Sequence, residues 1–338
     1  MRYRTLGKSG LRVGEVGIGG MGAAGKYGPI VPPGASPDML QPYDYNTVKL
    51  FQVVPATFAE TMACASSAGM NFVDTAPSYG DSELVFGQYL KDHREQWLVC
   101  SKIGVCGSWG DSRMPTRDEI FEQVRNSLSR LQIDRLDLVL IHSLDQYGER
   151  ENAVDRVRSE GMLDAMHELQ QANLVGLIGA SGQLPELVPA VQSGVFDVVL
   201  TYNSFNLLVQ DAKETLFPLA RQMGVGVILG GAFYQGLLTG NPELVLKRKE
   251  EFFEPSDPAY YQTRELVTRV ERLAAFVDND AASLRRLALR FALSEPAVSV
   301  LVTGMSMPQE AVENAAAAEL DPMTEAEIET VMEVAAGQ

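Results

Sequence analysis

Short apolar runs punctuate this chain at 16–19, 71–75, 97–103, 136–142, 175–180, 197–202, 225–229 and 298–302. Between them lie segments with a helical apolar period, at 57–68, 83–90, 116–131, 161–171, 184–192, 211–222, 281–293 and 309–318. Ahead of this alternation, residues 2–13 read as a β-hairpin: Tyr3-Arg4-Thr5-Leu6, a turn at Gly7-Lys8-Ser9-Gly10, then Leu11-Arg12-Val13. Runs that are apolar on both faces and alternate with helices predict a parallel sheet covered by helices. Eight such units predict an α/β fold of the closed (β/α)8 TIM barrel type, with an N-terminal hairpin and long βα loops, as one domain over residues 1–338. An open dinucleotide-binding sheet is disfavoured. Gly17-Ile18-Gly19-Gly20-Met21-Gly22 runs into a Pro- and Gly-rich stretch, 22–56, rather than into a helix. A loop of that length is more often functional than idle, the alternative being a mobile surface insertion. Long connections also follow at 104–115 and 230–264.

Composition narrows the partners rather than the fold. With 46% apolar and 21% charged residues the chain supports a sizeable core. The net charge of -16, with no basic stripe, argues against nucleic acid. No apolar run reaches membrane-spanning length and the N-terminus has no secretory pattern, so a cytoplasmic protein with no membrane partner is expected. Cys64, Cys100 and Cys106 lack metal-type spacing and His93, His142 and His167 are scattered, so no metal site is expected. A small-molecule substrate remains, with the oligomeric state open.

In a barrel of this kind reactive groups stand at the C-terminal ends of the strands. Those ends carry Asp74, with Tyr79 five residues beyond it, then Lys102, His142, Ser181 and Tyr202. Four of them form a coherent proton-transfer set. A phenol, with a reference pKa of about 10, exchanges protons poorly at neutral pH. An adjacent ammonium, Lys102, lowers that value by stabilising the phenolate. A carboxylate, Asp74, is needed to keep a buried lysine charged. A neutral imidazole, His142, can hydrogen-bond the reacting oxygen. Tyr79 then serves as general acid and base at a carbonyl or carbinol oxygen. Taken singly, each has an ordinary structural reading: a loop carboxylate, a loop aromatic, a solvated lysine, a core histidine.

These residues, with Arg4-Thr5-Leu6-Gly7-Lys8-Ser9-Gly10-Leu11, Asp74-Thr75-Ala76-Pro77-Ser78-Tyr79-Gly80 and Gly236-Leu237-Leu238-Thr239-Gly240, resemble the aldo-keto reductase superfamily over nearly the whole chain. Within it, 197–202 and 299–306 are most similar to the L-galactose dehydrogenase group of NAD-linked aldose 1-dehydrogenases. The resemblance implies hydride exchange with a nicotinamide cofactor and Asp74, Tyr79, Lys102 and His142 as the catalytic tetrad. It implies cofactor contacts from Ser181, Tyr202, Ala232, Phe233, Gly304, Met305, Ser306, Gln309, Glu313 and Asn314. Ala232 and Phe233 would act through backbone N–H groups on the pyrophosphate.

Three departures from the family pattern shape the expectation. The cations that grip a 2′-phosphate are replaced by Gly304 and Glu310, which favours NAD over NADP. The Ser-Asn pair for the nicotinamide amide is Ser181-Gly182. The Tyr-Ser-Pro-Leu segment after strand seven is Gly230-Gly231-Ala232-Phe233, so the stacking tyrosine is missing. The leading expectation is NAD+-linked oxidation of an aldose or related secondary alcohol, giving a lactone when the carbon is C1. Tyr27, Trp109 and Tyr147 are the candidate sugar-facing aromatics. The alternatives are an NADPH-dependent reductase of aldehydes and ketones, and a cofactor-sensing regulatory subunit.

Overall fold

Along each barrel strand the side chains alternate between two cores, which is why the runs are apolar on both faces. The computed structural model describes residues 1–23, 55–104, 113–147, 152–243 and 258–338. Its strands are β1 (Tyr3–Thr5), β2 (Arg12–Gly14), β3 (Val16–Gly19), β4 (Phe72–Asp74), β5 (Leu98–Ile103), β6 (Leu136–Ile141), β7 (Val175–Gly182), β8 (Val198–Tyr202), β9 (Gly226–Gly230) and β10 (Val298–Gly304). β3 to β10 close into a parallel barrel in chain order, β10 pairing with β3. All eight expected strands are present.

Leu138, Leu140, Val198, Leu200, Ile228, Val300 and Val302 fill the barrel interior. The alternate residues, among them Val73, Val99, Val139, Ile178, Val199, Val227 and Leu301, face the helices. The β1–β2 hairpin inserts Leu6 and Val13, 1% and 0% exposed, into the interior cluster and so plugs its lower end. Glu15 fastens the hairpin: it is 4% exposed and bonded by Arg2 Nε at 3.0 Å and Arg4 Nε at 2.9 Å. Arg4 also donates to the carbonyls of Glu295 and Val298, tying hairpin to β10.

The helices are α1 (Gly20–Ala23), α2 (Pro55–Ser67), α3 (Ser82–His93), α4 (Arg117–Leu131), α5 (Asn152–Ser159), α6 (Met162–Gln171), α7 (Leu184–Gln192), α8 (Leu216–Met223), α9 (Pro258–Phe276), α10 (Ala281–Leu293), α11 (Pro308–Glu319) and α12 (Glu325–Ala336). Four of them, α1, α5, α9 and α12, were not expected from the apolar period; α1 is a single turn on the Gly20–Met21–Gly22 stretch that was expected to run on without a helix. α5 is polar on most of its surface, and α9 starts inside the connection expected over 230–264. α12 is set by a capping box in which Thr324 accepts from the N–H of Glu327. The helix expected over 211–222 starts only at Leu216; Pro218 then falls in its first turn, where a missing N–H costs no internal bond. Among the described residues no helix is long and apolar enough to cross a membrane, and no cluster of His, Cys, Asp and Glu could hold a metal ion.

Candidate active site

β4 ends on Asp74, whose register partner is Cys100 on β5. Lys102 lies two residues further along β5, on the same inward face and one step higher. Its Nζ therefore reaches Asp74 Oδ1 at 2.7 Å and the Thr75 carbonyl at 2.9 Å. Both partners are sealed from water, at 1% and 4% exposure. The loop beyond β4 folds Tyr79 back over this pair, with Lys102 Nζ 4.7 Å from its ring centroid. That fold needs Gly80 at φ +54, a left-handed conformation costly for a side-chain-bearing residue. A bond between the hydroxyls of Thr75 and Ser82 at 2.8 Å ties the loop to α3. His142 follows β6, held by its backbone N–H to the Ile103 carbonyl at 2.8 Å. Its ring meets that of Tyr79 edge to face, centroids 5.5 Å apart at 83°. Ser78 Oγ lies 3.2 Å from His142 Nδ1. A cavity of about 50 Å3 opens beside Ser78, Lys102 and His142.

The electrostatics follow from burial. Desolvation pushes Lys102 toward the neutral amine, but the Asp74 carboxylate, with Tyr79 and Cys100, more than reverses this, and the ammonium persists above the ordinary lysine range. Tyr79 corrects the sequence expectation. Its hydroxyl end lies in buried surroundings, and desolvation raises the phenol above its usual 10 despite the opposing pull of Lys102. The ammonium does lower the phenol, as expected, but burial outweighs it. Cys100 is likewise held as a thiol, by burial first and then by the Asp74 charge. Behind the lysine strand, buried Glu83 accepts from Ser101 Oγ and from Arg130 Nε, the latter at 2.7 Å, and so braces β5 against α3 and α4.

Strand register extends this layer around the mouth. Tyr202 pairs with Gly230, and Gly304 pairs with Gly19, which pairs with Asp74. Gly19 and Gly304 stand side by side next to Asp74 at the mouth, and Gly230 on β9 lies one layer below, paired with Val302. Gly304 is exposed and neither it nor Gly19 carries a side chain, so an extended ligand such as a dinucleotide can approach the backbone at this point. Ser181 is 2% exposed; its Oγ donates to the Ile141 carbonyl and accepts from Ser143 N–H, both at 3.1 Å. Tyr202 packs on the barrel interior, and its phenol is bonded to the side chains of Gln183 and Ser143.

Beyond β10 the expected cofactor residues fall into two sets. Gly304 is exposed, Ser306 partly so and Gln309 exposed. Met305 is fully buried, and Asn314 Nδ2 turns inward to Thr303 Oγ1 at 3.1 Å. Ala232 is buried at 1%, and Phe233 packs partly buried on the core. Glu313 accepts from Gln309 Nε2 and Arg285 Nη2, both at 2.8 Å. Arg285 was missed in the sequence because it comes from α10, outside the loop, and only the tertiary fold brings it there. It also donates to the Thr239 carbonyl at 3.0 Å. Glu310 Oε2 accepts from the N–H groups of Ser306 at 2.6 Å and Met307 at 3.1 Å, and from Ser306 Oγ at 3.2 Å.

Of the three aromatics expected to face a sugar, Tyr27 and Trp109 lie outside the described residues. Tyr147 is buried, 1% exposed, with its hydroxyl donating to the Gly104 carbonyl. It is a packing group here, because its polar end is satisfied by the loop it supports.

The chain is 28% identical to L-galactose dehydrogenase of Arabidopsis thaliana, over 98% of this chain and 95% of that protein. It is 25% identical to a D-threo-aldose 1-dehydrogenase from a Pseudomonas species, over 77% of this chain and 82% of that one. Its fold is similar to the holo form of an aldo-keto reductase from Bacillus halodurans, with a TM-score of 0.68 at 22% identity over 99% and 96% of the two chains. The sequence profile of the aldo/keto reductase family, whose members generally use nicotinamide cofactors, matches residues 46–336, and the chain belongs to that family, as an oxidoreductase of the carbonyl–carbinol class.

Proposed function

We propose that this enzyme oxidises an aldose or a related secondary alcohol at a carbinol carbon, with NAD+ preferred to NADP+. The observation that carries the cofactor preference is the start of α11. There the Glu310 carboxylate already takes the N–H groups of Ser306 and Met307. A helix N-terminus is a natural anion site, and here the protein's own anion fills it. A second dianion beside Glu310 would be repelled. The sugar reading is supported by the similarity to L-galactose dehydrogenase along 98% of the chain.

When bound, the nicotinamide supplies the hydride acceptor or donor. The chain's own residues handle the oxygen and its proton. His142 orients the substrate oxygen, and Tyr79 exchanges the proton with it. Lys102, held charged by Asp74, stabilises the phenolate formed during that exchange. Gly19 and Gly304, without side chains beside Asp74, leave the backbone open to the cofactor, and the exposed Gly304 offers it a backbone group.

A second reading, an NADPH-dependent reductase of aldehydes and ketones, is favoured by two observations. The raised phenol is a proton donor as it stands. The Arg285 guanidinium also lies near the cofactor loop, though it is already engaged by Glu313. Initial rates of cofactor reduction decide between the readings, with NAD+ against NADP+ across free aldoses, glycosides and non-sugar alcohols. Turnover of a free aldose with NAD+ preferred is the expected result. A preference for NADP+ would overturn the Glu310 argument and put the reductase reading first.

A further inference from the structure

We propose that Asp145 is a cofactor-binding residue whose carboxylate faces the cationic ring of the oxidised nicotinamide, so that the site holds NAD+ in preference to NADH. The inference rests on the proposed reaction, in which the oxidised cofactor is the form that enters. Barrel order places the residue. β10 and β3, which carry Gly304 and Gly19, stand opposite β6 and β7 in the closed ring of strands. An extended ligand that meets the backbone at Gly19 and Gly304 and reaches the tetrad is therefore directed at the ends of β6 and β7. Asp145 stands there, in the turn Leu144–Tyr147 just beyond His142. A Cβ on Gly182, at the end of β7, would lie 3.3 Å from Asp145 Oδ1, so the carboxylate rests against the bare end of that strand.

This corner of the mouth is negative and uncompensated. Asp145 opens to solvent, yet desolvation raises its carboxyl above the ordinary range; only its own backbone N–H opposes this, and among the described residues no positive side chain does. Glu186, in the first turn of α7, adds a second carboxylate, 7% exposed, whose Oε2 meets no hydrogen-bond donor among the described residues. Both charges reach the Tyr202 phenol, which burial raises first and Asp145 and Glu186 raise further. The neutral groups of the corner are already engaged. Ser181 Oγ gives its proton to the Ile141 carbonyl and accepts from the Ser143 N–H, and the Tyr202 phenol is bonded to Gln183 and Ser143. Carboxylates partly removed from water with no cation beside them favour a positive ligand. Of the two cofactor states only the oxidised one carries a positive ring, and the same carboxylate can accept from the N–H groups of its amide.

Asp145→Asn keeps the shape and an acceptor oxygen and removes the charge. Dissociation constants for NAD+ and for NADH, measured on the full chain by titration calorimetry at about pH 8, where the carboxyl is ionised, read its effect without any turnover. The variant is expected to bind NAD+ about tenfold more weakly than the wild type and NADH within about twofold of it. Asp145→Glu, which keeps the charge, should stay within about threefold of the wild type for both. A purely structural role would weaken the two forms alike, and that result overturns the proposal. Unchanged binding of both forms also overturns it, and a raised KM for the alcohol would then place Asp145 on the substrate instead. Failure of the proposed reaction is separately visible: the loss confined to NAD+ would hold while no alcohol is turned over.

Discussion

Tyr79 shows how little a residue's chemistry follows from its nearest charge alone. Lys102 pulls the phenol toward ionisation, burial pushes it further the other way, and the net shift is upward. The sign gives a test. In the oxidising direction Tyr79 must accept a proton, so the active fraction grows as the phenol ionises. With NAD+ and an alcohol in excess of enzyme, kcat/KM is expected to rise with pH through the neutral range and still be rising at about pH 9. The reducing direction, which needs the protonated phenol, should stay level over that range. Tyr79→Phe should abolish turnover while leaving NADH binding, read by fluorescence titration, close to the wild-type value. A flat oxidation profile, or a Phe variant that keeps near-normal turnover, would remove Tyr79 from the proton-transfer role.

At the scale of the element, α11 is the part whose local chemistry reaches into function. Its first turn is satisfied by Glu310 from within, since that carboxylate takes the N–H groups of Ser306 and Met307. Two charges on a phosphate about 5 Å from a carboxylate at a wet surface interact by roughly 1–2 kcal/mol. Glu310→Gln keeps an oxygen acceptor for the helix and removes the charge. The ratio of kcat/KM for NADP+ to that for NAD+ is therefore expected to rise about tenfold, with a loss of stability under about 1 kcal/mol. An unchanged ratio would mean that Glu310 does not lie on the path of the 2′-phosphate. α4 makes a contrast: Thr116 and Glu119 form a capping box, and Arg113 pairs with Glu119 at 2.8 Å. That carboxyl is lowered to about 2, by the Arg113 bond first and then by the Thr116 N–H. It terminates a helix and touches none of the tetrad in the described structure.

At the scale of the whole molecule, the two ends of the barrel divide the work. The mouth holds Asp74, Tyr79, Lys102 and His142. The lower end is closed by the hairpin, whose charged clamp centres on Glu15. Glu15 is 4% exposed and serves two arginines, so Glu15→Ala strips the compensation from a largely buried ionic cluster. The expected cost is about 3 kcal/mol in urea unfolding, with specific activity of the folded fraction unchanged because the change lies at the end opposite the mouth. A cost below about 1 kcal/mol would mean that the backbone contacts of Arg4 alone hold the hairpin.

Much of this was legible in the chain because it depends on local pattern. Alternation of short two-sided apolar runs with amphipathic segments is a consequence of burying a parallel sheet under helices, and it located all eight barrel strands and, by their ends, Asp74, Lys102 and His142. Short, mostly polar helices such as α5, which buries only Ala153, Val154 and Val157, offer too few apolar positions to be read and were not seen. Other properties depend on distances between residues far apart in the chain. The upward shift of Tyr79 comes from how deep its hydroxyl lies, which no neighbour in sequence reports. The Ser78–His142 contact joins positions 64 residues apart, and Arg285 meets Glu313 across two helices. The sequence by itself determined which chemical groups stand at the ends of which strands, because strand order and side-chain alternation are local. Only the tertiary structure decided which of those groups touch and how far water is kept from them, because closure of the barrel sets both.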